Sequence, residues 1–401
     1  MVTVTGVTTK RNLWPELSNN HTLADLVYTT AVATGMSMTH KTGLVPAASY
    51  KFTGLDYTST GRYPQGVAAI DNFVLTSFYY KYAPLQSACK LTVFDRNQLK
   101  AANVGILTFE NGKFRRINTH GGGIEIIGNY LYVENSANWQ VRVFDLREIY
   151  PVADNADLVD MTDPFMAEIT YFLPEVGTIQ FNSTVGGQLA YLSKSGDNFV
   201  SGNFWIKDSN TYGSGGKTMV WVWPLDYSSY EFAVPVGTAT QIEPKNPSGA
   251  EVGLSVDKVQ GALLYNDVLI LNKSYGAGTY HLIVLDLARP GEYYAGDTTN
   301  PHGFNWKNWL YGCEDISIIG SQMVTVTEFG GDRDVTFWNL ADVVGLLGIY
   351  VPPTIAEHQA ALDALEIQRD QLTAEIDYYA SQIVSAIAAN LERFDRVTYV
   401  P

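Results

Sequence analysis

A repeated pattern decides the fold, and it is clearest in residues 262–271, which read ALLYNDVLIL. The turn Asn266-Asp267 separates two apolar runs, and a third run closes at Val284-Leu285-Asp286 after a loop. Two short apolar runs joined by such a pair of turn residues are the sequence form of a β-hairpin. This stretch therefore predicts three consecutive antiparallel strands.

The same pattern recurs through residues 66–339. The turns in the other units are Asp71-Asn72, Gly128-Asn129, Gly196-Asp197-Asn198 and Gly320-Ser321, and the third runs close at Asp95, Asp145, Asp226 and Asn339. Recurrence of this kind indicates radial or stacked repeats, and three or four antiparallel strands per unit favour propeller blades over a solenoid. The sequence predicts an all-β fold, a β-propeller of about five blades, in which the closing aspartates accept hydrogen bonds in the following turn.

Three parts of the chain follow from this pattern. Residues 1–65 form an N-terminal segment, in which Ser49–Tyr57 is expected to supply the outer strand of the last blade and so close the ring. Residues 66–350 form the propeller. The sequence 354–395, after Pro352-Pro353, is expected to be a coiled-coil helix because its apolar period changes from about 2 to about 3.5.

The helix has a marked start and an apolar seam. Thr354 and Glu357 have the spacing of a capping box. The apolar seam positions are Ile355, Leu362, Leu365, Leu372, Ile376, Tyr379, Ile383 and Ala386, and the polar exceptions in the seam are His358 and Arg369. The narrow stripe predicts self-association, with a trimer favoured. Pairing with another protein and packing on its own propeller are the alternatives.

Charge and composition limit the partners. The chain has 41 acidic and 26 basic residues, a net charge of −15, which disfavours nucleic-acid binding because phosphates require a basic face. No signal-peptide layout is present and no apolar run reaches the roughly 20 residues of a membrane span, so we expect no membrane partner and synthesis in a host cytoplasm. Cys89 and Cys313 are expected to be buried thiols rather than a disulfide or metal ligands.

Four polar residues are candidates for a channel or ligand-binding site: His120, Glu125, Glu314 and Asp315. They lie on or just before the predicted innermost strands, which face the central channel. Carboxyl groups about 5 to 9 Å apart perform acid-base chemistry on glycosidic bonds. The alternatives are hydration of the channel and acceptance of hydrogen bonds from backbone N–H groups at the ring's centre. We predict no cofactor, and a Ca²⁺ or Na⁺ ion held by these acids is the option left open.

The segment His120-Gly121-Gly122-Gly123 is similar to the oxyanion-hole segment of lipase-type hydrolases. Those enzymes also need a Gly-x-Ser-x-Gly nucleophile, and this sequence has none. We therefore interpret the glycines as a turn that leads into a blade.

The five units of residues 66–339, followed by the heptads of residues 355–386, resemble the receptor-binding and tail-tip proteins of tailed bacteriophages, some of which carry propellers on trimeric stems. The resemblance is architectural, and the helix here follows the propeller whereas those stems usually precede it. It implies a non-catalytic structural protein of the virion that attaches to a host-surface glycan or joins other virion proteins. The alternatives are a carbohydrate-active enzyme that uses Glu125 and Glu314, and an intracellular scaffold that docks partner peptides.

Overall fold

The protein is described by a computed structural model. The described residues are 2–34, 44–52, 61–183, 188–206, 216–246, 255–274, 280–288, 303–307, 309–310, 312–328 and 333–345, together with 369, 373, 376 and 380. The chain divides into two units, Met1–Tyr350 and Val351–Pro401. The first is mostly β and has a propeller-like fold.

Antiparallel meanders dominate the first unit. Near the N-terminus lie β1 (Val2–Thr9), β2 (Thr30–Thr34) and β3 (Ala48–Phe52). The first meander contains β4 (Arg62–Ile70), β5 (Phe73–Tyr80), β6 (Cys89–Asp95) and β7 (Lys100–Glu110), extended by β8 (Lys113–Arg116). The second contains β9 (Ile124–Ile127), β10 (Tyr130–Asn135), β11 (Gln140–Asp145), the short β12 (Tyr150–Pro151) and the long β13 (Tyr171–Ser183).

The remaining meanders repeat this order. The third contains β14 (Gln188–Ser195), β15 (Asn198–Phe204) and β16 (Val220–Asp226), with β17 (Val234–Pro235) and β18 (Thr240–Ile242) beside β16. The fourth contains β19 (Val259–Tyr265), β20 (Val268–Ser274), β21 (Tyr280–Asp286) and β22 (Gly303–Lys307). The fifth contains β23 (Cys313–Ile319), β24 (Gln322–Thr327) and β25 (Asp334–Asn339).

Helices in the first unit are short. The helix α1 (Leu340–Gly345) follows β25, inside the region that the sequence assigned to strands. The 3-10 turns are Arg11–Leu13, Leu23–Asp25, Ser136–Asn138, Ala153–Asn155 and Pro164–Glu168. No helix in the described ranges combines the length and the apolar character needed to cross a bilayer.

The five hairpins joining the first and second strands of the meanders form where the sequence predicts them. The first residue of each turn has a positive φ: Asp71 (53°), Gly128 (62°), Gly196 (55°), Asn266 (52°) and Gly320 (56°). The favoured two-residue hairpin turns need this left-handed conformation, and Gly, Asn and Asp adopt it at the lowest cost. Gly, Asn and Asp therefore recur in these turns because the backbone there needs a positive φ.

The closing aspartates also behave as predicted. In each case Oδ1 accepts the backbone N–H two residues ahead, namely Asn97 (2.8 Å), Arg147 (3.0 Å), Ser228 (2.8 Å) and Ala288 (3.0 Å) for Asp95, Asp145, Asp226 and Asp286. This bond is an Asx turn, which fixes the chain as it leaves the third strand.

The N-terminal segment contributes a strand to the last meander. β3 pairs antiparallel with β25, with Tyr50 opposite Val335, so a strand from the start of the chain completes the last meander. Residues 49–52 of the expected strand lie in β3, and residues 53–57 lie outside the described part. The first strands of the meanders contact one another in cyclic order, and β23 returns to β4.

The N-terminal segment has a second role that the sequence did not predict. β1 pairs antiparallel with β13 and adds an outer strand to the second meander. Lys10 Nζ then lies 2.6 Å from Glu175, and Arg11 Nη2 lies 2.7 Å from Asp145. The predicted boundary at residue 65 is also late, because β4 begins at Arg62.

The C-terminal unit is described at only four positions. Arg369, Thr373, Ile376 and Ala380 are helical, and the hydroxyl of Thr373 donates to the carbonyl of Arg369 at 2.9 Å, a bond across one helical turn. Ile376 is the apolar seam residue among these four positions. Ile355, Leu362, Leu365, Leu372, Tyr379 and Ile383 lie outside the described residues.

We predict that the closing strand contributes strongly to stability. The Tyr50 ring lies 4.8 Å from the Phe94 ring and 6.0 Å from the Phe337 ring, between the last and first meanders. Tyr50→Ala should lower the free energy of unfolding by about 2 kcal/mol, less than for a fully buried aromatic because Tyr50 is half-buried. Urea unfolding measures this value. Val45→Ala, at a side chain that is 78% exposed, is the control, and an equal loss in both variants would contradict the prediction.

Candidate functional site

Asp315 lies inside the ring and joins three inner strands. It is buried on β23, and its Oδ2 accepts hydrogen bonds from Val67 N (3.3 Å) on β4 and Ile124 N (3.0 Å) on β9. Among the described residues, β4 pairs only with β5 and β9 only with β10, and these N–H groups donate to a side chain instead of a ladder partner. Asp315 therefore serves the backbone at the ring's centre, one of the two structural roles considered for it.

Glu125 serves the same purpose on a different set of strands. It is buried on β9, and its Oε2 accepts from Lys194 N on β14 and from Ser317 Oγ on β23, both at 3.1 Å. Its Oε1 accepts from Ile126 N at 2.7 Å. Burial raises the pKa of Glu125 to about 7, although these hydrogen bonds oppose the shift. Both carboxylate oxygens are thus committed to the ring.

The triple-glycine segment is a tightly packed turn. Gly122 N donates to Glu134 Oε1 at 2.6 Å, and a Cβ on Gly123 would lie 2.5 Å from the backbone of Tyr191. Side chains are excluded there because the turn passes between Glu134 and β14. This supports the interpretation of the glycines as a turn leading into a blade.

A polar cluster forms at the ends where the inner strands begin, which we call the mouth. Gln65, Glu314 and Glu328 meet there. Glu314 is 2% exposed, Gln65 is 1% exposed and Glu328 is half-buried. Register shifts, as in β-bulges, interrupt β4 between Pro64 and Val67 and β23 between Cys313 and Ile316. Because a bulge re-aims side chains, it allows Gln65 and Glu314 to reach the mouth.

Glu314 and Glu328 form a hydrogen-bonded carboxyl pair. Burial, followed by the neighbouring Glu328 and Asp315, raises the pKa of Glu314 well above its ordinary value. Burial also raises the pKa of Glu328, but there the hydrogen bonds from Glu314 and Gln65 oppose the shift. Glu314 therefore carries the proton, and its O–H donates a hydrogen bond to the Glu328 carboxylate.

Two cations accompany this pair. The guanidinium of Arg333 lies 4.6 Å from the centre of the Tyr63 ring, and Nζ of Lys81 lies 5.0 Å from it. Both charges favour the ionised form of Glu328. Lys81 is exposed and Arg333 is 5% exposed.

Aromatic rings border the mouth. The rings of Tyr79 and His120 lie 4.6 Å apart, and those of Tyr63 and Tyr79 lie 5.9 Å apart. Tyr82 is 60% exposed and its side chain hydrogen-bonds to that of Tyr63. The His120 side chain is exposed at the mouth. Desolvation by the neighbouring protein lowers its pKa to about 4, so its imidazole is neutral at pH 7.

The four predicted residues thus separate into two pairs. Glu125 and Asp315 lie in the ring's interior, whereas Glu314 and His120 lie at the mouth. Sequence reasoning missed Glu328, Gln65, Arg333 and Tyr79. Their places in the repeat could have indicated Gln65 and Glu328. Gln65 lies near the start of a first strand and Glu328 directly follows a second strand, so both lie at the end of the strands opposite the hairpin turn.

No group of three or more His, Cys, Asp or Glu side chains within the described ranges is arranged to hold a metal ion. Cys89 and Cys313 are buried and free, as predicted, and burial raises the pKa of both thiols.

Comparisons with known proteins give little further information. No protein-family model matches the chain, and no curated protein matches it. Among solved structures, the chain is similar to the glutaminyl cyclase of Myxococcus xanthus, with 14% identity, a TM-score of 0.33, and coverage of 69% of this chain and 90% of that chain. A likeness at this level carries no argument about activity.

Because the pKa values of the buried acids are raised, we predict that the free energy of unfolding falls as the pH rises. The pKa of Glu125 is raised from 4.5 to about 7, so its folded form holds a proton that the unfolded form loses. This contribution is complete below pH 4.5 and is lost up to about pH 7, at a cost of about 3 kcal/mol. Glu125→Gln cannot ionise, so its free energy of unfolding should fall by about 2 to 3 kcal/mol less than the wild type between pH 5 and pH 8.

Urea unfolding at the two pH values measures this difference. Glu110→Gln, at an exposed residue, should keep the wild-type dependence. An unchanged dependence in Glu125→Gln would contradict the assignment. Glu134, whose pKa burial also raises to about 7, supplies a similar share that remains in the variant.

Proposed function

We propose that the chain is a five-bladed β-propeller whose mouth binds glycans, and that a C-terminal coiled coil brings several copies together. The observation that carries the glycan proposal is the mouth itself, where a half-buried carboxylate lies beside partly exposed aromatic rings. Aromatic rings cover the apolar face of a sugar, while carboxylate, amide and basic groups bind its hydroxyls. Tyr82, Tyr79 and His120 supply the rings, and Glu328 and Lys81 supply polar groups.

The meanders support the blade count. Among the described residues five meanders occur, and their first strands follow one another in a closed order. Apolar layers such as the one containing Leu131 and Leu91 lie between successive meanders. Each meander is then one blade, and β3 completes the last one.

We propose a role in attachment rather than hydrolysis. In glycosidases the two carboxyl groups stand about 5 to 9 Å apart, which leaves room for the sugar oxygen or a water. Glu314 and Glu328 are hydrogen-bonded to each other, and Glu125 has both oxygens committed to the ring. This arrangement favours binding over bond cleavage.

For the biological setting we propose a tailed bacteriophage virion, with the propeller as a tail or fibre component and other virion proteins as neighbours. The support is the sequence resemblance in architecture, and the helix at Arg369, Thr373, Ile376 and Ala380 agrees with it. Ile376, a seam position, is 66% exposed. Several copies on one stem convert weak contacts into firm attachment, since later binding events become intramolecular.

The glycan proposal is tested on an array of neutral and acidic bacterial polysaccharides, with a parallel assay for new reducing ends. We expect binding without new reducing ends, and Tyr82→Ala should weaken it by about 1 kcal/mol, roughly fivefold. The matched control is Tyr230→Ala, because Tyr230 is 38% exposed and follows β16 at the opposite end of the strands. Absence of binding to every polysaccharide, or release of reducing ends, would overturn the proposal.

Sedimentation velocity tests the coiled coil in the full chain. The wild type should sediment as an oligomer, with a trimer expected, and the double variant Leu365→Asp with Leu372→Asp should be monomeric because both charges lie in the seam. Ala360→Asp with Ala374→Asp places the same charges on the opposite side of the helix and should leave the oligomer intact. A monomeric wild type would contradict the assembly.

A further inference from the structure

Glu328 is the accessible member of the carboxyl pair. It is half-buried, whereas Glu314 and Gln65 behind it are almost fully buried. We propose that Glu328 contacts the sugar, accepting hydrogen bonds from adjacent hydroxyl groups, and that Glu314 is a positioning residue that holds Glu328 by donating a hydrogen bond to it. This inference rests on the proposed glycan-binding function and names the polar contact that gives it specificity.

The Glu328 carboxylate is held but not saturated. Glu314 and Gln65 donate to it, and a carboxylate accepts about four hydrogen bonds. Acceptor positions therefore remain beyond these two bonds, and the Glu328 side chain is half-buried. Two neighbouring hydroxyl groups of a pyranose match such a pair of oxygens.

Glu314 is neutral because its surroundings leave no support for a charge. Its Oε1 is buried and has no hydrogen-bond partner among the described residues. Its nearest charged neighbours are the acids Glu328 and Asp315. An ionised Glu314 would be desolvated and repelled, while its protonated form donates one good hydrogen bond.

The charged groups around the pair set the sign of the pH dependence. The titratable and charged groups that face Glu328 are Tyr63 of β4, Tyr79 of β5, Lys81 after β5, Glu314 of β23 and Arg333 before β25, with Asp315 behind Glu314. The two cations favour the ionised Glu328. The tyrosines have raised pKa values and stay neutral over the working range.

Binding should therefore depend on pH in two directions. On the acid side the pair gains a second proton, and Glu328 loses the charge that strengthens its hydrogen bonds. On the alkaline side Glu314 loses its proton, and the two carboxylates repel each other. The affinity should show a maximum between these limits.

The experiment measures affinity for the polysaccharides of the same array from pH 4 to pH 9. Glu328→Gln should weaken binding at least tenfold, the value of a hydrogen bond to a charged group. Glu314→Gln keeps an N–H donor toward Glu328 but cannot ionise, so it should bind within about twofold of the wild type at the maximum and lose only the alkaline decline. A purely structural Glu314 would not remove one limb of the profile.

Two further variants keep the result interpretable. Glu314→Leu cannot donate and should weaken binding at every pH, and thermal melting establishes that each variant folds. Glu110→Gln, at an exposed residue, should match the wild type. If the wild type binds no polysaccharide, the proposed function fails. If it binds but Glu328→Gln binds equally well, or Glu314→Gln keeps the alkaline decline, this inference alone is overturned.

Discussion

The structure depends on hydrogen bonds that buried carboxyl groups accept from backbone N–H groups at the centre of the ring. Within the described ranges each inner strand pairs with a second strand on one edge only, so the N–H groups on its other edge face the centre without a ladder partner. An unsatisfied buried N–H costs about 1 to 3 kcal/mol. Asp315 satisfies Val67 and Ile124, and Glu125 satisfies Lys194. Closure therefore requires acids in the interior, and their raised pKa values are its consequence.

The acids in the interior differ from those at the mouth in their hydrogen-bond partners. Glu125 has no oxygen left over, because Ile126, Lys194 and Ser317 occupy both. Glu314 lies at the end of its strand, and its contact is Glu328 rather than the backbone. Glu328 at the mouth is half-buried, whereas Glu125, Glu314 and Asp315 are buried.

Local backbone chemistry explains what the sequence predicted well. Positive φ at Asp71 and Asn266, and the Asx turn after Asp145, depend on residues close in the chain, so they are visible in a repeat. The partner of Glu314 was not visible, because the contact follows from hairpin register and a bulge rather than from spacing. The pairing of β1 with β13 joins residues about 170 positions apart, and no local pattern encodes it.

The bulges connect ring closure to the geometry of the mouth. In a regular strand, adjacent side chains point to opposite faces, so Glu314 and Asp315 would not both lie among inner-strand contacts. The register shift between Cys313 and Ile316 changes this alternation where both acids lie, and similar shifts occur near the starts of β4, β14 and β19. One irregularity thereby lets a single strand supply Asp315 to hold the ring and Glu314 to shape the mouth. A regular β23 would have to give up one of these tasks.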